Sequence, residues 1–376
     1  MYHRLLNPPQ SQSFFLFGPR GTGKTTWVKS HYPLALYIDL LESATYKDLL
    51  AAPQRLETMI PPDFSHPVVL DEVQRIPELL NEVHRLIENK RINFILTGSS
   101  ARKLRRKGHD LLAGRAFTYH MFPLLAIEMG QDFDLSRAIK SGMLPLAQDQ
   151  NYQQFLKSYI QTYLDQEILQ EGLTRNLSAF SRFLEAASFS QGQVLNVSSI
   201  SREAAIERTV VIGYFNILKD LLIGYLIPPF SKRAKRRLVT HPKFYFFDAG
   251  LYQAIRPTGP LDTPSEIGGV GVETLVCQHL MATNELLNLN YSLYYYRTAS
   301  GVEVDFVLYG QRGIVAIEVK NNSTFKPEML SSLKRFALDY PEAKLYLFYA
   351  GQKKYFVGKI TVLPLTEVLK DLVNIL

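Results

Sequence analysis

The chain has 376 residues, room for two or three domains, and its 46% hydrophobic and 20% charged residues exclude wholesale disorder. A single cysteine, Cys277, excludes an internal disulfide and a cysteine-based zinc site. The formal charge of +7 leans weakly towards nucleic acid. The N-terminal MYHRLLNPPQSQ lacks the apolar core of a signal peptide, and no apolar run reaches the ~18–20 residues of a membrane span, so a cytoplasmic soluble protein is expected.

The first third alternates strand and helix. SFFLF (Ser13–Phe17) is an apolar run before a glycine-rich turn, and a helix begins at Lys24. Ala35–Leu40, Val68–Leu70 and Asn93–Thr97 read as further strands, with a helix over Pro77–Glu88. That alternation predicts a parallel sheet with both faces covered. From Phe122 the pattern turns helical, with Tyr152–Gln170 carrying aromatic and aliphatic residues near one face.

Ser199–Ala205 and Thr209–Leu222 then read as two helices joined by a tight turn. Strands at Tyr225–Pro229 and Lys243–Phe247 follow, separated by a basic loop. This is the outline of a winged helix-turn-helix. In the last segment Leu293–Arg297, Glu303–Tyr309 and Ile314–Lys320 read as successive strands, before a helix at Pro327–Tyr340 and a strand at Lys344–Tyr349. The expected division is 1–150, 151–255 and 256–376.

Gly18-Pro19-Arg20-Gly21-Thr22-Gly23-Lys24-Thr25, with Thr26 after it, fits the phosphate-binding loop G-x-x-x-x-G-K-[ST] between a strand and a helix. Glycines let backbone N–H groups turn inward on a polyphosphate, and the helix N-terminus adds positive potential. Lys24 is placed to reach the β- and γ-phosphates of ATP, and the Thr25 hydroxyl to ligate Mg2+. Pro67–Glu72 is an apolar strand ending in two carboxylates. Asp71 can hold the Mg2+ water shell, and Glu72 can orient and deprotonate a water for attack. Thr97, with Ser99 as the alternative, is the polar residue at the end of the next strand that can touch the γ-phosphate or the attacking water.

GPRGTGKTT, VVLDEVQRIP, ILTGSSARKL and LLAGRAF, in that order, resemble a widespread prokaryotic AAA+ family. Its members join an ATPase domain to a C-terminal domain of unknown function with a nuclease-like fold. The likeness continues through TYLDQEIL, KFYFFDAGL, Gly271-Val272-Glu273 and the Asp305/Glu318/Lys320 region, so it spans nearly the whole chain. The resemblance implies an α/β chain: a P-loop AAA+ ATPase domain, a winged-helix-like middle unit and a C-terminal PD-(D/E)xK nuclease-like α/β domain. It also implies homo-oligomers, with Arg115 as a trans-acting arginine; a structural ion pair for Arg115 fits the sequence equally well.

Glu318 and Lys320, two apart on a strand, share a face, and the glycine-bounded turn at Gly310–Gly313 brings the strand of Asp305 alongside. Carboxylates in apolar strands suit a divalent cation, a second Mg2+ or Mn2+, with Lys320 positioning a water. Glu273 is a further candidate ligand. Val304 stands where the named motif has proline, and a surface ion network is the plain alternative.

Lys232, Arg233, Lys235, Arg236 and Arg237 crowd the loop between the wing strands, and Arg102, Lys103, Arg105, Arg106, Lys107 and His109 form a second basic cluster. Both suit a DNA backbone. TVVIGYFNILKDLL is too apolar to read base edges, so sequence-specific recognition is not expected. The leading expectation is an ATP-hydrolysing protein acting on DNA, with a nuclease-like C-terminal domain. The alternative is an ATP-switched regulator or scaffold whose C-terminal domain binds a partner and cuts nothing.

Overall fold

The computed structural model describes residues 2–106, 112–164, 176–232, 238–260 and 262–376. The chain forms two compact units. One comprises Arg4–Pro123 with Asp220–Leu222, the other Leu124–Lys219 and Ile223–Leu376 with Met1–His3. The middle and last segments of the sequence therefore share one unit.

The first unit holds a five-stranded sheet in the order β2-β3-β4-β1-β5, formed by Ser13–Phe17 (β1), Leu36–Asp39 (β2), Val68–Asp71 (β3), Phe94–Gly98 (β4) and Ala116–His120 (β5). Every pairing in it is parallel. β1, β3 and β4 are buried along their full length, which is why they read as unbroken apolar runs. The helix Leu79–Lys90 buries Leu79, Leu80, Val83 and Leu86, one stripe at helical spacing. β5 was not foreseen. It lies at the sheet edge, AFTYH has no apolar run, and none of its residues is fully buried.

The second unit is built on a mixed six-stranded sheet in the order β12-β13-β11-β10-β9-β8. Its strands are Ser292–Arg297 (β8), Glu303–Gly310 (β9), Gly313–Lys320 (β10), Lys344–Tyr349 (β11), Tyr355–Val357 (β12) and Ile360–Pro364 (β13). The long helix Pro264–Leu286 covers one face, where Val272, Leu275, Val276 and Leu280 meet Phe306, Leu308, Val315 and Ile317. The helix Ser331–Asp339 covers the other, where Leu333 and Phe336 meet Val304, Val307 and Ala316. β9 carries a bulge: Tyr294 pairs with Val307 but Tyr296 pairs with Val304. The residues between, Asp305 and Phe306, leave strict alternation there.

The same unit contains helices Leu177–Ser188, Val197–Ala204 and Arg208–Asp220, the last two joined through Ala205 in the left-handed conformation. A two-stranded antiparallel ribbon follows, Gly224–Ile227 (β6) against Lys243–Phe246 (β7). After Tyr152–Ser158 the chain continues as a π-helical turn, Tyr159–Leu164; the rest of the helix expected there, 165–170, lies outside the described residues.

His279, on the long helix, is wholly buried. The Ala126 N–H donates to its Nε2 at 2.9 Å, so the ring proton sits on Nδ1 and is directed at the Leu275 carbonyl 2.8 Å away. Burial lowers its pKa to about 4. Unfolded, the imidazole titrates near 6.5, so between the two values the unfolded chain binds more protons. This contribution to stability is complete above pH 6.5 and is lost as pH falls towards 4. Denaturant midpoints of the parent should therefore drop faster over this range than those of His279→Gln; parallel profiles would contradict the assignment.

Candidate functional site

The loop after β1 is shaped by one close approach and one left-handed glycine. A Cβ on Gly18 would lie 2.4 Å from the Met121 carbonyl oxygen, and Gly23, at φ 94°, caps the helix Lys24–His31. Thr22 ties the loop by donating from its hydroxyl to the Pro19 carbonyl at 2.8 Å. Lys24 is buried, and its ammonium donates to the Gly18 carbonyl at 2.6 Å and the Pro19 carbonyl at 3.2 Å. It thus lies over the loop between Gly18 and Thr25, where a polyphosphate meets backbone N–H groups in folds of this kind. Arg20 is the exposed residue of the loop and Thr26 lies in the first turn of the helix.

Asp71 is the meeting point of three hydroxyls. Thr25 donates to its Oδ2 at 3.1 Å, Tyr37 donates to the same oxygen, and Thr97 donates to Oδ1. Burial and the Asp71 carboxylate raise the Tyr37 phenol well above its ordinary pKa, so Tyr37 stays a donor. Glu72 follows in the left-handed conformation, at φ 61° and ψ 44°. A non-glycine residue holds that backbone at a cost of roughly 1–3 kcal/mol. Gln74 donates from Nε2 to the Glu72 carboxylate and, at 3.2 Å, to the Ser99 hydroxyl. A Cβ on Gly98 would come within 2.3 Å of Gln74 Oε1, so the strand end is glycine where this amide passes. Thr97 therefore bonds the Asp71 carboxylate, and Ser99 is joined to Glu72 through Gln74. Tyr37 and Gln74 escaped sequence reasoning, because both reach the site from off the motif. Arg115 pairs with Glu88 of its own chain, both side chains partly exposed.

A second cluster lies in the other unit. Glu273, Asp305 and Lys320 line an open cleft of about 530 Å³. Glu318 is buried and accepts from Lys320 Nζ at 2.6 Å through Oε1. Burial and the negative charge of Asp305 push its pKa up. Asp305 Oδ2 accepts from the Val319 N–H at 2.8 Å. Lys243, at the start of β7, was not anticipated in this company. Its ammonium is 3.2 Å from Glu273 Oε1, 2.5 Å from Glu303 Oε1 and 3.7 Å from Asp305 Oδ1. Burial alone would lower its pKa, but Glu273, Asp305 and Glu303 outweigh that and raise it. Among the described residues no group of three or more His, Cys, Asp or Glu side chains is arranged to hold a metal ion. Of the basic loop only Lys232 is described, exposed, with its ammonium 5.6 Å from the centre of the Tyr309 ring. Arg233, Lys235, Arg236 and Arg237, and Lys107 and His109 of the other cluster, lie outside the described residues.

Comparison with known proteins gives three consecutive matches. Residues 10–130 match the family model of an AAA domain, 136–262 a domain of unknown function (DUF8612), and 269–368 a domain of unknown function (DUF4143). The chain thus joins an N-terminal AAA domain, of the nucleotide-binding ATPase class, to a C-terminal domain of unknown function. The uncharacterized proteins Rv2008c of Mycobacterium tuberculosis and Mb2031c of Mycobacterium bovis are each 24% identical to it over 311 residues, covering 80% of this chain and 69% of theirs. The crystal structure of protein VC1899 from Vibrio cholerae aligns over 90% of this chain and 96% of its own at 10% identity. The TM-score of that alignment is 0.23. No described helix is long and apolar enough to cross a membrane.

Proposed function

We propose that the chain is a Mg2+-dependent ATP hydrolase that acts on DNA through backbone contacts. The observation that carries the first half is the convergence of the Thr25, Tyr37 and Thr97 hydroxyls on Asp71, beside the Lys24 loop and next to Glu72. The loop N–H groups and Lys24 bind the phosphates of ATP. A hard-oxygen pair, Thr25 and Asp71, suits Mg2+, which when bound neutralises phosphate charge. Tyr37 and Thr97 orient the Asp71 carboxylate. Glu72 takes the proton of the attacking water, held for it by Gln74. The chain acts as a homo-oligomer favoured by ATP, with Arg115 leaving Glu88 to reach a neighbouring site.

DNA contact rests on the run Lys232, Arg233, Lys235, Arg236 and Arg237 and on the net positive charge. Replacing all five by neutral residues should weaken binding on every sequence alike. It should also reduce the log–log salt slope by up to about 4–5 if each contacts a phosphate of B-DNA. Filter binding or anisotropy across salt concentrations reads both, and unchanged affinity and slope would remove this segment as the contact. A second reading, an ATP-switched regulator with a protein partner, is favoured by Val210 and Ile212, exposed on the helix Arg208–Asp220. DNA binding absent even at low salt would select it. Metal-dependent cleavage does not enter either reading, because an ammonium stands among the C-terminal carboxylates.

A further inference from the structure

We propose that Lys243 is the resident cation of the C-terminal carboxylate cluster, filling the place a divalent metal would take. The domain is then a metal-free platform and not a metal-dependent nuclease. Lys243 is 1% exposed, so water cannot solvate its charge. A buried ammonium persists only where carboxylates surround it. Glu273, Glu303 and Asp305 do so from two elements, the long helix and β9. Two of its donors reach Glu273 and Glu303, and Asp305 faces it as a third negative charge at 3.7 Å, the role a hard cation otherwise plays.

The surroundings fix the ammonium there. Lys243 and Tyr245, two apart on β7, share a face, and both reach Glu273 Oε1. The strand is locked by the pairing of Lys243 with Ile227 and by buried Phe244 and Phe246. Asp305 Oδ2 accepts from the Val319 N–H and Glu318 Oε1 from Lys320, while the buried Glu318 Oε2 has no hydrogen-bond partner among the described residues. A metal ligated by Glu273 and Asp305 would sit about 2.0–2.6 Å from the oxygens that already face Lys243. Two cations cannot share that space at low dielectric. Val304 and Val307, on either side of the bulge, both pack in the core beneath the helix Ser331–Asp339, while Asp305 between them faces Lys243.

Mn2+ binding to the nucleotide-free full chain, followed by the loss of the free-ion electron paramagnetic resonance signal, tests this. The parent and Asp305→Asn should bind the same number of ions, since any Mn2+ at Asp71 is common to both. Lys243→Met, an uncharged side chain of similar length, should gain one bound ion per chain, and Lys243→Met/Asp305→Asn should lose it. A parent ion that Asp305→Asn removes would overturn the assignment. So would a Lys243→Met protein that melts cooperatively yet gains no ion. If Lys243→Met does not fold, the comparison of the parent with Asp305→Asn decides alone, and Lys243→Arg, which keeps the charge, should fold and match the parent in ion count.

Discussion

Glu72→Gln should bind ATP as tightly as the parent and turn it over on the order of 10²–10⁴ times more slowly, the usual contribution of a positioned general base. The amide keeps the shape of the carboxylate and can still meet the Gln74 side chain, so the loop around Gly18–Thr25 is undisturbed. What it cannot do is accept the proton of the attacking water. The left-handed backbone at Glu72 sets its carboxylate beside the Gln74 amide at the turn Val73–Arg75 that follows β3. Single-turnover phosphate release with a separate nucleotide-binding assay distinguishes the two effects. Turnover equal to the parent's would remove Glu72 from the chemistry.

Asp248→Ala is expected to be the most damaging single change to the fold. Asp248 is fully buried at the start of the helix Ala249–Ile255. Its Oδ1 accepts the Leu251 N–H at 3.0 Å and its Oδ2 the Met143 N–H at 2.6 Å. It packs so tightly that a Cβ on Gly142 would be 1.9 Å from Oδ1. Alanine leaves two buried N–H groups without acceptors, one of them the Leu251 N–H that Asp248 caps, together about 2–6 kcal/mol. That is a large part of the ~5–15 kcal/mol that holds a typical domain folded. Asp248→Asn keeps one acceptor oxygen and should lose less. Urea denaturation followed by tryptophan-independent far-ultraviolet dichroism measures both, and equal midpoints for parent and alanine variant would refute the packing account.

The loop and the paired carboxylates of the candidate site were legible because their pattern is local. Gly18 to Thr25 lies within one turn, and Asp71-Glu72 ends an apolar strand, so both carry their context in adjacent residues. Tyr37 and Gln74 were not legible. Tyr37 reaches Asp71 only because β2 pairs with β3 in the register that sets Asp39 beside Asp71, and register is not written in a short apolar run. In the second unit alternation set Glu318 and Lys320 on one face and the glycine-bounded turn set the strand of Asp305 alongside, but the bulge in that strand was not legible. Lys243 was read as the ordinary start of a wing strand, since a lysine beside an apolar FYFF run signals a surface end unless its partners are known. KFYFFDAGL entered as part of a family likeness. In the structure its parts separate into Lys243 and Tyr245 at the carboxylates, Asp248 at a helix cap, and Gly250, whose Cβ would be 2.2 Å from the Ser141 carbonyl oxygen.

Phosphate release from ATP by the purified full chain decides whether Lys24 and its loop serve an ATP-hydrolysing site. With Mg2+ present the parent should turn over ATP, and excess EDTA should stop it. Lys24→Ala should lose both turnover and most nucleotide affinity, because the polyphosphate loses its principal cation. A folded parent that releases no phosphate with Mg2+, or a Lys24→Ala variant as active as the parent, would contradict the account.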